Sequence, residues 1–173
     1  MDKEKQLFIA SLFLSGKPLG LDFFKKLLEL FNLENRLLEY AEEFNRQENG
    51  LKIRTVSGGF QMSAAPSLTQ TLEKFFGERV ETLSRSSLET ISIIAYKQPV
   101  TKAEIEKVRG VDCSGTIRNL LDKNLITVAG RKSVPGRPLM YVTTQYFLEY
   151  FGLNDLSELP TFMEWQELRS MHQ

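Results

Sequence analysis

Three observations in the sequence predict a mainly α protein with small β-hairpins, an α+β class, arranged as two similar units in tandem. An apolar helix, a break holding a proline and a short helix occur twice, in "LFIASLFLSGKPLGLDFFKKLLEL" and "LETISIIAYKQPVTKAEIEKVRG", with Pro18 and Pro99 lying 81 residues apart. After each of these stretches the apolar period changes from about 3.6 to 2, the mark of a helix giving way to strands. The third observation is size and composition. With 173 residues, 42% hydrophobic and 25% charged, the chain supports one ordinary domain or two small ones.

The first helix is expected over residues 4–15, apolar on more than one side through Leu7, Phe8, Ile9, Ala10, Leu12, Phe13 and Leu14, so it needs a second partner layer. "SGKPLG" breaks it. "LDFFKKLLELF" reads as the second helix and residues 34–46 as the third, with Leu37, Leu38, Ala41 and Phe44 on one face. "NGLKIRTVSGGFQMSA" then alternates: Leu51, Ile53 and Thr55 share a side, Gly58-Gly59 turns the chain, and Phe60 and Met62 return. Residues 67–77 form a linking helix that closes at Gly77.

The order then repeats. Ser86 with Glu89 makes a capping box for a helix through Tyr96, with Leu88, Ile91, Ile94 and Ala95 inward. Pro99 stops it, and Thr101 with Glu104 caps a short helix carrying Ile105 and Val108, which Gly110 ends. A third helix starts near Cys113 or Ser114 and runs through Ile117, Leu120 and Leu121, followed by "LITVA" and "LMYVTT" on either side of "GRKSVPGRP". Each unit therefore reads as a helix-turn-helix with a two-stranded wing, two tandem winged-helix domains. The expected boundaries are residues 1–65, a helical linker 66–82, a second domain 83–152 and a tail 153–173. Just before the tail, residues 146–151 are expected to pack back on the second unit as a helix. Residues 157–170 form either an amphipathic helix through Leu159, Phe162, Met163 and Leu168, set on the core or on a partner, or a flexible extension.

Catalytic chemistry finds little material. His172, the one histidine, is a residue from the end, and Cys113, the one cysteine, reads as a small residue at a helix start, so a His/Cys metal site is not expected. No cofactor is expected. A single cysteine forms no internal disulfide, which favours a reducing compartment, and no export signal or membrane span is expected. "GRKSVPGRP" holds two prolines and leads into a strand, which excludes a phosphate-binding P-loop.

Recognition remains. Acidic and basic residues balance at 22 each, but residues 80–138 hold ten basic against six acidic. Arg131, Lys132 and Arg137 are candidates for phosphate contact from the wing, joined by Lys97, Lys102 and Arg118. The third helix of the second unit, in "DCSGTIRNLLDKN", is a poor base reader: Asp112 and Asp122 repel bases, and only Arg118 and Asn119 offer base-edge donors.

The motifs "LETISIIAYKQPVTKAEIEKVRGV" and "GRKSVPGRPLMYVTTQYFLEYFGL", and more loosely "LFIASLFLSGKPL" and "GLKIRTVSGGFQMSA", resemble the bacterial segregation and condensation protein B (ScpB) family up to about residue 160. The resemblance implies a non-enzymatic accessory subunit of the bacterial condensin-like SMC complex, acting in chromosome condensation and partition and so in the cell cycle and cell division. It implies a cytoplasmic homodimer, joined through the N-terminal unit, that binds the kleisin ScpA and through it the SMC ATPase at the nucleoid, with DNA touched weakly or indirectly. The apolar surplus nominates Leu7, Phe8, Leu12, Phe23, Phe24 and Leu27 for the dimer interface, although some must belong to their own core. Tyr96, Arg118, Arg131, Lys132 and Arg137 are nominated for kleisin or DNA contact. The alternative is a dimeric winged-helix DNA-binding transcriptional regulator.

Overall fold

The computed structural model describes residues 2–28, 31–76 and 82–160. It divides into two compact units, one holding residues 2–76 together with 152–160 and the other residues 82–151.

In the first unit Asp2 accepts the Glu4 N–H at 3.1 Å and so caps α1 (Lys3–Ser15), which ends at left-handed Gly16. β1 (Leu19–Gly20), α2 (Leu21–Leu27), α3 (Leu33–Asn45), β2 (Leu51–Val56) and β3 (Gly59–Ala64) follow, and the strands form an antiparallel sheet in the order β1-β3-β2. Phe8 is the centre of the core, with ring centroids 5.2 Å from Phe24 and 5.3 Å from Phe60, surrounded by Leu12, Leu37, Tyr40, Phe44 and Ile53. Lys5 is almost fully buried against α3 and pairs with Glu43 at 2.6 Å. A short 3-10 turn (Pro66–Leu68) leads into α4 (Thr69–Phe76).

The second unit repeats this order with α5 (Arg85–Lys97), β4 (Val100–Thr101), α6 (Lys102–Arg109), α7 (Ser114–Asp122), β5 (Ile126–Arg131) and β6 (Leu139–Thr143), its sheet running β4-β6-β5. Ile91, Ile94, Ile105, Leu120, Leu125 and Ile126 fill the core. α8 (Gln145–Phe151) belongs to this unit and buries Phe147. The tandem winged-helix reading holds, and the repeat extends to strand order.

Several details differ from expectation. Each wing has a third strand, β1 or β4; two residues are too few to show a period-2 pattern. Val56 pairs with Gly59, so the first hairpin turns at Ser57-Gly58, whose φ values of 57° and 69° suit a two-residue type I′ turn. Gly59 lies in the strand, where a Cβ would sit 2.5 Å from the Leu19 carbonyl oxygen. α5 is capped by Ser84, which accepts the Ser87 N–H at 3.2 Å; Ser86 is inside the helix, and Glu89 turns to Arg85 and Arg109 instead. Leu88 and Leu38 are exposed, their expected inward places taken by Thr90 and Tyr40. Thr90 tolerates full burial because its hydroxyl donates to the Ser86 carbonyl at 2.9 Å.

The described part of the tail, to residue 160, carries a 3-10 turn (Leu156–Glu158) and groups with the first unit. There the Ser57 N–H donates to the Leu153 carbonyl at 2.9 Å and the Gly58 N–H to Asn154 Oδ1 at 3.0 Å. Gly77, Phe162, Met163, Trp165, Leu168 and His172 lie outside the described residues.

Candidate partner-binding surfaces

The fold sorts the nominated dimer residues into two groups. Phe8, Leu12 and Phe24 are at most 1% exposed, so these three hold their own unit together and have no surface to give a partner, while Leu7 packs on the same cluster but stays only partly buried and keeps its place among the interface candidates. This corrects the assignment of Phe8, Leu12 and Phe24 to an interface. The reason is geometric: the first layer over α1 is made by α3, strand β3 and, through the Phe8–Phe24 ring contact, α2 of the same unit. Phe23 and Leu27 remain about two-fifths exposed on the outer side of α2.

The apolar surplus of residues 7–14 and 23–31 is real, but its most exposed members are not the nominated ones. Phe13 is 70%, Leu14 81% and Phe31 88% exposed. The signal was present in α1, whose apolar residues surround the helix; once Phe8 and Leu12 face inward, Phe13 and Leu14 one or two positions on must face out.

In the second unit Tyr96 is half-exposed near the end of α5, and Arg118 is exposed on α7. Arg131 and Arg137 are exposed on the wing, where the Arg131 guanidinium donates to the Arg137 carbonyl at 3.0 Å. Lys132 is different: its ammonium reaches back to Glu104 in the capping box of α6. Glu104 also accepts the Thr101 N–H at 2.9 Å and hydroxyl at 2.7 Å. Lys132 foremost, then Thr101, pull the Glu104 carboxyl from 4.5 to about 2. The wing is thus pinned to the start of α6.

The turn between α6 and α7 is a second closed network. Lys102 lies 3.2 Å from Glu106 and 3.1 Å from Asp112, Glu106 accepts the Cys113 N–H at 3.1 Å, and Asp112 accepts the Ser114 hydroxyl at 2.7 Å. The Ser114 hydroxyl, followed by Lys102, holds the Asp112 carboxyl well below its ordinary value. Asp112 precedes α7 and orders its start, so it is not a residue of the helix presented to a partner. Cys113 is fully buried, and burial raises its thiol pKa, which keeps it protonated rather than nucleophilic. Arg109, only 8% exposed, ties α6 to α5 through Glu89 at 3.3 Å and Ser86 at 3.1 Å, and Ser86 meets Thr116 of α7 at 3.1 Å.

A groove of about 350 Å³ opens between the starts of α5 and α7, lined by Thr82, Ser84, Ser87, Gly115, Thr116 and Asn119 among others. Leu83 and Lys123 complete the lining, so its hydroxyls, amide and one ammonium can hydrogen-bond a polar chain, and none of these residues carries a carboxylate. No group of three or more His, Cys, Asp or Glu residues suited to a metal ion occurs among the described residues. No helix among them is long and apolar enough to cross a membrane.

The family model described as segregation and condensation complex subunit ScpB matches residues 7–162. The chain is 42% identical over 151 residues to segregation and condensation protein B of Moorella thermoacetica, covering 86% of this chain and 77% of that one. It is 39% identical over 166 residues to the protein of the same name in Desulforamulus reducens, covering 95% and 92%. Among solved structures, ScpB from Mycobacterium tuberculosis is 30% identical with a TM-score of 0.41, covering 88% of this chain and 98% of that one.

Proposed function

Because this chain belongs to the segregation and condensation complex subunit ScpB family, we propose that it is a non-enzymatic subunit of a bacterial SMC complex that segregates and condenses chromosomes. In this reading it is a homodimer that binds the kleisin ScpA and, through it, the SMC ATPase, in the cytoplasm at the nucleoid. The match across residues 7–162 carries the reading, since it spans both winged-helix units rather than one generic domain.

The structure supports the two binding roles in different ways. Phe13, Leu14 and Phe31 leave apolar area uncovered in the first unit, and burying such area between two copies is the main driving force of a stable dimer. Phe23 and Leu27, about two-fifths exposed on α2, add apolar area to the same unit. For the kleisin, Tyr96 and Arg118 of the second unit supply an amphipathic ring and a fixed cation, residue types that dominate protein-binding hot spots. The polar groove at α5 and α7 lies on the same unit as these two residues.

Titration calorimetry of the full chain with ScpA from the same genome tests the proposal. Saturable binding is expected, weakened at least tenfold by Tyr96→Ala with Arg118→Ala. Absence of binding with both proteins folded overturns it.

A further inference from the structure

The wing of the second unit is more ordered than a solvent loop requires. The Lys132 N–H donates to the Pro138 carbonyl, the Val134 N–H to the Lys132 carbonyl and the Arg137 N–H to the Val134 carbonyl, each at 2.9 Å. Arg137 has φ 40°, a left-handed backbone that glycine adopts more easily, yet an arginine stands there. Arg131 is braced against its carbonyl, so the two guanidinium-bearing residues are held beside each other at the wing.

The charges around them are unevenly neutralised. Glu104 is engaged by Lys132, and Glu106 and Asp112 by Lys102. Arg131 and Arg137 have no carboxylate within ion-pair distance among the described residues. Two neighbouring arginines without a carboxylate partner suit a polyanion, because a guanidinium fork matches the oxygens of a phosphate or carboxylate. Apart from the two arginines the tip contributes Val134, 43% exposed, and no aromatic ring, so it offers little apolar area for a protein partner to bury around them. A phosphate backbone needs charge alone.

We propose that Arg131 and Arg137 form a sequence-independent contact to the phosphate backbone of duplex DNA, with Lys132 acting as the strut that fixes the wing to α6. This goes beyond the kleisin reading and does not rest on it. The contact positions DNA against the protein and reads no bases.

The test is fluorescence anisotropy of a mixed-sequence DNA duplex with the full chain across a salt series. Two phosphate contacts contribute about −1.8 to the slope of log affinity against log salt, at about −0.9 each. Arg131→Gln with Arg137→Gln should make the slope shallower by about 1.8, whereas Arg131→Lys with Arg137→Lys should keep it near the parent value. Arg137→Gly should remove about 0.9 while relieving the left-handed backbone, so a folding failure does not mask the result. An unchanged slope in the glutamine variant, or no DNA binding at low salt, overturns the proposal. Weaker ScpA binding by the glutamine variant with an unchanged DNA slope would also overturn it, by assigning the wing to an acidic protein segment.

Discussion

Replacing Phe8 by alanine separates the core of the first unit from its proposed interface. Phe8 is 0% exposed and makes edge-on contacts with Phe24 and Phe60 at 5.2 and 5.3 Å, with Tyr40 at 6.2 Å. Truncating a phenylalanine so enclosed costs about 3–5 kcal/mol, a sum that includes the lost ring contacts. For a unit of this size 1 kcal/mol shifts Tm by about 4–8 °C, so the variant should melt at least about 12 °C lower. Phe13→Ala, at a site 70% exposed, should change the stability of the unit by no more than about 0.5 kcal/mol. Urea unfolding at concentrations below self-association, with hydrogen exchange of α1–α3 amides to localise the effect, measures both. Loss of less than about 1 kcal/mol in Phe8→Ala, or a larger loss in Phe13→Ala, would refute this division of the helix.

Thr101→Ala removes the capping hydroxyl of α6 and should cost about 0.5–2 kcal/mol by chemical denaturation. Glu104 has its carboxyl lowered from 4.5 to about 2, so its contribution is complete above pH 4.5 and fades as pH falls towards 2. The stability gap between the parent and Glu104→Gln should close across that window, and a gap that persists at pH 2 contradicts the assignment. Gly59→Ala drives a Cβ to 2.5 Å from a backbone oxygen and should destabilise by about 1–3 kcal/mol, whereas Gly115→Ala meets nothing within 4 Å and should stabilise by about 0.4–1 kcal/mol in thermal unfolding.

The helix order, the Thr101–Glu104 box and the tandem repeat were legible because each leaves a local pattern: a periodic stripe, a hydroxyl three residues before a carboxylate, or a recurring break. β1 and β4 were not, since two-residue strands are created by partners far along the chain. The same cause explains Ser84. Both Ser84 and Ser86 can cap a helix, and Glu89, which would complete a box with Ser86, instead pairs with Arg85 one turn back and with Arg109 of α6, a partner supplied only by packing. For the surfaces, the apolar surplus of α1 was visible, but the sequence could not say that Phe8 and Leu12 turn inward while Phe13 and Leu14 do not. The basic wing was visible too. That Lys132 is engaged by Glu104 while Arg131 and Arg137 are not depends on the hairpin folding back over α6.

Light scattering of the chain alone and with ScpA from the same genome tests the account most directly. With a subunit mass of 19.9 kDa, the chain alone should elute at about twice that mass, and Phe13→Asp should shift it towards the monomer. Mixed with ScpA, the parent should move into a heavier complex containing both proteins. A monomer that Phe13→Asp leaves unchanged, with no complex formed by two folded proteins, would contradict the proposed function.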